Sequence, residues 1–183
     1  MGVLDILVPL RCAVCAALGE PLCPTCAYGL VPLVPPVCER CGAPGAWPVR
    51  RCAECAGRRL GFTSARAAIV YDIRAKALVN AWKEHGRRDL ARVAATIVAA
   101  TLPRPSADLL TFVPSDAGRL LTRGHGPAER LAREIGRLWG LRTRTLLIRT
   151  RSVSRQRVRD RSLVFAHGRL RRSDLGRVIT FVA

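Results

Sequence analysis

The sequence predicts an α/β fold in two parts. A small cysteine-rich, metal-binding domain spans residues 1–60, and a domain built on a mainly parallel sheet spans residues 61–183. Three observations predict it. All eight cysteines lie between residues 12 and 55, as four pairs of identical spacing. From residue 61 onward, short β-branched runs alternate with stretches of helical periodicity. The charge also shifts at that boundary: residues 1–60 hold six arginines against four acids, net +2, whereas residues 61–183 hold 25 bases against nine acids, net +16. With 49% of residues hydrophobic, disorder is not the default expectation.

The cysteine pairs are Cys12-x-x-Cys15, Cys23-x-x-Cys26, Cys38-x-x-Cys41 and Cys52-x-x-Cys55. Two-residue spacing lets both sulfurs of a tight turn face one ion, and two such turns complete the tetrahedral thiolate set that Zn²⁺ prefers. Pro24, Gly42 and Gly57 supply the turns. Eight thiols make two complete four-sulfur sites with none left over, so the block reads as a zinc ribbon holding two structural Zn²⁺ ions. Neighbouring pairs sharing a metal is the simplest arrangement, and interleaved pairing is equally allowed by the spacing. With no coordination position open, neither site is catalytic. Each Zn(Cys)₄ unit is formally −2, which lowers residues 1–60 from +2 to about −2.

The second part follows in order. The opening run, "MGVLDILVPL", reads as a strand, as does "RAAIVYD" at 66–72. A helix over 73–86 carries Ala77, Leu78, Ala81 and Trp82 on one face, and Gly86 stops it. A second helix over 89–103 uses Leu90, Val93, Ala94, Ile97 and Val98, and Pro103 ends it. A strand at 107–114 precedes a helix at 126–140, where Pro127 suits the first turn and Leu131, Ile135 and Leu138 share a side. Strands at 143–149 and in the terminal "LGRVITFVA" (175–183) complete the pattern.

In such sheets, ligands sit beyond the carboxyl ends of the strands. After Val113 comes "PSDAGRLLTRGHGP", which places Arg123-Gly124 just ahead of a helix start, a good setting for an anion. After the next strand, Arg149, Arg151, Arg155, Arg157, Arg159 and Arg161 lie close together, which suits either a solvated loop or one that grips phosphates. His85, His125 and His167 are far apart in sequence and read as surface or loop residues.

Five pieces in order now resemble the ComF family of competence-associated proteins: the CxxC block, "VYD", "WKEHGRRDLA", "FVPS" with "RGHGPAERLA", and "LIRTRSVSRQRVRDR". That family joins a zinc ribbon to a type I phosphoribosyltransferase-like domain. The resemblance implies phosphate or substrate contacts from Lys83, Arg123, Gly124, Arg149, Gln156 and Arg161, and a link to DNA uptake or nucleotide metabolism. It implies Mg²⁺ with phosphoribosyl pyrophosphate for a full-length member. It also implies that the strand in "RVITFVA" should lead to an acidic, Thr- and Gly-rich loop. That loop is not among the 183 residues, so a C-terminally truncated chain, inactive as a transferase, is the expectation.

The alternative is non-enzymatic: a zinc-ribbon adaptor whose arginine-rich half binds single-stranded nucleic acid or an acidic partner, including a competence or DNA-processing protein. The N-terminus lacks the basic segment and cleavage site of a signal peptide, Ile6 spoils a myristoylation signal, and no apolar stretch is long enough to span a membrane. A reducing cytoplasm is the expected compartment, which favours metal over disulfides.

Overall fold

The computed structural model describes residues 9–149, 165–167 and 178–181. The predicted opening strand, and the Gln156 and Arg161 positions, lie outside them. The described residues of the first part contain one short helix, α1 (Pro24–Tyr28), among turns organised by the cysteines. Helices α2 (Ile73–Lys83) and α3 (Leu90–Thr101) follow, then strand β1 (Leu109–Phe112), α4 (Ala117–Arg123), α5 (Pro127–Trp139) and β2 (Arg142–Thr143). Strands β3 (Leu147–Arg149), β4 (Phe165–His167) and β5 (Val178–Phe181) complete the described elements.

The helices begin and end where local chemistry directs. Asp72 caps α2 by accepting the N–H of Ala75 at 2.8 Å, and Asp116 caps α4 by accepting that of Gly118 at 3.0 Å. Pro127 opens α5, and Gly124 and Gly140 close α4 and α5 in the left-handed conformation, at φ 66° and 64°. Helix α4 has no counterpart among the predicted elements, because its seven residues are too few to show a periodic face.

The sheet has the order β2-β1-β5, all parallel. β5 matches β1 along its whole length, from Leu109 opposite Val178 to Phe112 opposite Phe181, so the terminal run is a strand as predicted. Two predicted strands are corrected. Residues 143–149 do not form one strand: Arg142–Thr143 pairs with β1, whereas β3 pairs antiparallel with β4 in a separate two-stranded sheet. The chain leaves β1 after Arg144, whose N–H reaches the Leu110 carbonyl, and the Thr111 hydroxyl then accepts the N–H of Leu146 in place of a ladder partner. Residues 66–72 do not join the sheet either. They are extended, but Ile69 bridges Pro32, with Leu33 donating to Ala68 and Val70 donating to Val31.

One core joins the first part to the helices. Cys12, Leu22, Cys26 and Leu30 pack in the same cluster as Leu78, Trp82, Leu90, Leu110 and Ile135. Burying a side chain of Leu or Ile size stabilises by about 1.5–3 kcal/mol, so this shared cluster is a strong tie. On α5 the buried face is Ala128, Leu131, Ala132, Ile135 and Gly136. Leu138, predicted to share it, is exposed because it sits at the margin of that arc in the last turn. Gly136 allows the closest approach: a Cβ there would lie 2.6 Å from the Thr143 hydroxyl and 2.7 Å from the Leu141 carbonyl.

Candidate metal centre

The eight cysteines converge in two groups: Cys12, Cys15, Cys23 and Cys26, and Cys38, Cys41, Cys52 and Cys55. Neighbouring pairs therefore share a site. Within each group all sulfurs lie within 4.8 Å of one another. The Cys15–Cys23 and Cys38–Cys55 separations are 3.6 Å, Cys41–Cys52 is 3.4 Å and Cys52–Cys55 is 3.8 Å. Zn–S bonds of about 2.3 Å in a tetrahedron place sulfurs about 3.8 Å apart. A disulfide would require about 2.05 Å. The donor set and its spacing fit one four-thiolate zinc ion per site, of the closed structural kind.

The two sites are built by one backbone pattern used twice. In the first, Cys12 donates to Ala17, Ala16 donates to Cys12 and Gly19 donates to Leu10. In the second, Cys38 donates to Ala43, Gly42 donates to Cys38 and Gly45 donates to Pro36, each bond shifted by 26 residues. The bridges Arg11–Leu18 and Val37–Pro44 repeat with the same shift. In each site the N–H opening the second pair points at the first sulfur: Cys23 to Cys12 at 3.4 Å and Cys52 to Cys38 at 3.3 Å. The left-handed turn residue is Ala16, φ 61°, in the first unit and Gly42, φ 74°, in the second. Between their cysteine pairs the units differ, with seven residues in the first and ten in the second.

Before metal enters, the sulfurs do not ionise alike. Burial opposes ionisation of Cys12, but the N–H groups of Cys15, Cys23 and Val14 outweigh it and bring the thiol down to about 6. The N–H of Cys41, against burial and with those of Cys52 and Arg40, does the same for Cys38, also to about 6. Burial, reinforced by the neighbouring sulfurs, pushes Cys26 and Cys55 up to about 12. Each site thus offers a ready thiolate, and a zinc ion must displace the protons that burial holds on Cys26 and Cys55.

Residues 3–57 match the double zinc ribbon domain. No curated protein and no solved structure matches the chain. The double zinc ribbon is not a uniform block. Its first unit is part of the main core through Cys12 and Cys26, whereas Cys38 and Cys55 stand outside that cluster. Hydrogen bonds tie the second unit to the segment that follows it. Arg40 donates to the carbonyls of Leu60 and Thr63 and lies over the Phe62 ring, Ala65 donates to Arg40, and Arg66 donates to Glu39.

The other predicted site residues fall as follows. Lys83 is the last residue of α2, Arg123 the last of α4, Gly124 its left-handed cap, and Arg149 the last of β3. The loop after Lys83 reaches two of the predicted features through residues that the sequence did not single out. Arg88 donates to the Gly124 carbonyl at 2.8 Å, and Arg87 donates to the Arg11 carbonyl at 2.9 Å beside the first zinc site. Arg87 also pairs with Asp89 at 2.6 Å. The one sequence signal that could have found them is their place in "WKEHGRRDLA", a stretch that carries the family resemblance but from which only Lys83 was singled out as a phosphate contact. His85 is exposed as expected, but His125 is buried in the turn between α4 and α5, a correction to its reading as a surface residue. His167 is the last residue of β4. Among the described residues no helix is long and apolar enough to cross a membrane.

Proposed function

We propose that this chain is a zinc-ribbon adaptor that holds an arginine-rich α/β half against a polyanion, single-stranded nucleic acid foremost. The observation that carries the reading is the shared core. The first ribbon packs with Leu78, Trp82 and Leu90 of the helices, so its zinc ion serves to brace a half with net charge +16. A field of that sign concentrates anions at the surface and speeds their capture. The measurement is the affinity for a single-stranded oligonucleotide as a function of salt. Phosphate-driven binding weakens as salt rises, with a slope of about −0.7 per phosphate contacted. Affinity that is flat in salt, or no binding at low salt, would overturn the proposal. A matching affinity for polyglutamate would redirect it to an acidic protein partner.

A second reading follows the resemblance to the ComF family: a phosphoribosyltransferase-like half that handles nucleotides. The parallel pairing of β5 with β1 and the Arg123-Gly124 turn at the end of α4 favour it. In this reading Lys83, Arg123, Gly124, Arg149, Gln156 and Arg161 contact phosphates. Calorimetric titration with phosphoribosyl pyrophosphate and Mg²⁺ tests it, and no heat at millimolar ligand would set it aside.

A further inference from the structure

The two ribbon units share a backbone but not a surface. Of the six arginines in residues 1–60, only Arg11 lies before Cys38, and the other five lie in the second unit. Residues 1–37 hold that one arginine against Asp5 and Glu20, net −1, whereas residues 38–60 hold five against Glu39 and Glu54, net +3. With one Zn(Cys)₄ unit each, these become about −3 and about +1. The ribbon as a whole is slightly acidic, and that average conceals a basic second unit.

The location of the difference is informative. The loop between cysteine pairs is three residues longer in the second unit, ten against seven, and it contains Trp47, Arg50 and Arg51. Trp47 is 69% exposed, while the other described tryptophans, Trp82 and Trp139, both pack at the core. An indole displayed in water on a metal-braced loop is open to stacking against a planar partner. Arg50, Arg51, Arg58 and Arg59 are all exposed, and none has an ion pair or side-chain hydrogen bond among the described residues. Arg40, by contrast, spends both of its terminal nitrogens on the Thr63 and Leu60 carbonyls and lies over the Phe62 ring.

We infer that the second ribbon unit is a single-strand nucleic-acid contact, with Trp47 stacking on an unpaired base and Arg50, Arg51, Arg58 and Arg59 receiving the flanking phosphates. A flat aromatic surface beside guanidinium forks matches a chain that repeats a planar base and a phosphate at every step. An acidic peptide would answer the arginines but offers no planar group for the indole. Duplex DNA keeps its bases stacked and would leave Trp47 without a partner. The site is separate from the arginine-rich half, so it stands or falls independently of the function proposed for that half.

The test uses the full zinc-loaded chain and a fluorescent oligothymidylate, with Trp47→Ala, Trp47→Phe and the double variant Arg50→Ala/Arg51→Ala. Retention of two zinc ions per chain and an unchanged melting profile establish that the variants fold. Stacking of one base predicts that Trp47→Ala weakens binding at least about fivefold with the salt slope unchanged, and that Trp47→Phe recovers part of it. The double arginine variant should reduce the slope by about 1.4, two phosphate contacts. Unchanged affinity in Trp47→Ala overturns the inference, and persistent salt-dependent binding would then leave the reading of the arginine-rich half standing. Loss of all binding in the wild-type chain removes both. An equal effect of Trp47→Ala on polyglutamate binding overturns the choice of nucleic acid.

Discussion

Gly42→Ala is the most discriminating single change in the ribbon. Gly42 has φ 74°, and a Cβ there would sit 2.6 Å from the Ala65 carbonyl oxygen and 3.3 Å from its carbon. Two costs add. A side chain in the left-handed region costs about 1–2 kcal/mol. Forcing an atom against backbone that cannot rotate away costs about 1–3 kcal/mol more. The Ala65 peptide is pinned, because its N–H donates to Arg40 and its carbonyl accepts from Arg66. The sum, about 2–5 kcal/mol, falls on a site whose folding is coupled to metal, so zinc affinity at the second site should drop about 30- to 5,000-fold. Chelator competition on the loaded chain, following release of each zinc ion, reads this directly. Gly57→Ala is the control: φ is 72° and no atom lies within 4 Å of the added Cβ, so only the conformational part applies. The converse change, Ala16→Gly at φ 61°, should tighten the first site by up to about 1 kcal/mol. Equal losses in Gly42→Ala and Gly57→Ala would refute the claim that contact with Ala65 locks the second unit.

Three further outcomes follow from the same structure. Cys26→Ser should lower the melting temperature of the helices, seen as early exposure of Trp82 fluorescence, whereas Cys55→Ser should leave that transition in place because its site lies outside the shared core. Gly136→Ala should destabilise the chain by about 1–3 kcal/mol in denaturant unfolding despite the better helix propensity of alanine, since the new methyl meets the Thr143 hydroxyl and the Leu141 carbonyl. Arg87 holds the Asp89 carboxyl below its ordinary range, chiefly by hydrogen bonding, so the pair contributes stability above the unfolded carboxylate pKa that is lost as pH falls through the lowered folded value. Because both groups are about a third exposed, the contribution should stay under about 1 kcal/mol, and Arg87→Ala should flatten the acid limb of a pH–stability curve.

What the sequence revealed was whatever depends on near neighbours. The four CxxC turns and Pro127 in the first turn of α5 are settled within a few residues, and each appears in the structure where the pattern places it. The pairing of the cysteines was only partly legible: neighbouring pairs were the simplest arrangement and are the one found, but spacing alone permits three arrangements and the fold chooses. Two of the β assignments failed for a related reason. Residues 66–72 carry the composition of a strand, but their partner is Pro32 rather than β1, and partner choice is a long-range property. The split of residues 143–149 turns on two hydroxyls: Thr143 donates to Ala132 while Thr111 accepts from Leu146. A propensity scale counts both threonines simply as strand formers. The burial of His125 likewise depends on the left-handed turn at Gly124, which folds it inward between two helices.

One backbone pattern used twice has been put to two uses, and the contacts show why the division runs in this direction. The first unit gives up part of its surface: Cys12 and Cys26 pack in one cluster with Leu30, Leu78, Trp82 and Leu90, and Arg87, in the loop after α2, donates to its Arg11 carbonyl. A unit held in this way suits the bracing role proposed for it. The second unit is held along one side by residues 60–66, through Arg40, Gly42 and Arg66. Its longer loop is free to carry an exposed indole and guanidinium groups that have no partner among the described residues. Metal makes this workable, since a turn closed by four thiolates needs no hydrophobic support of its own. Removing the first zinc should therefore loosen the whole chain, while removing the second should abolish a contact surface and leave the rest folded.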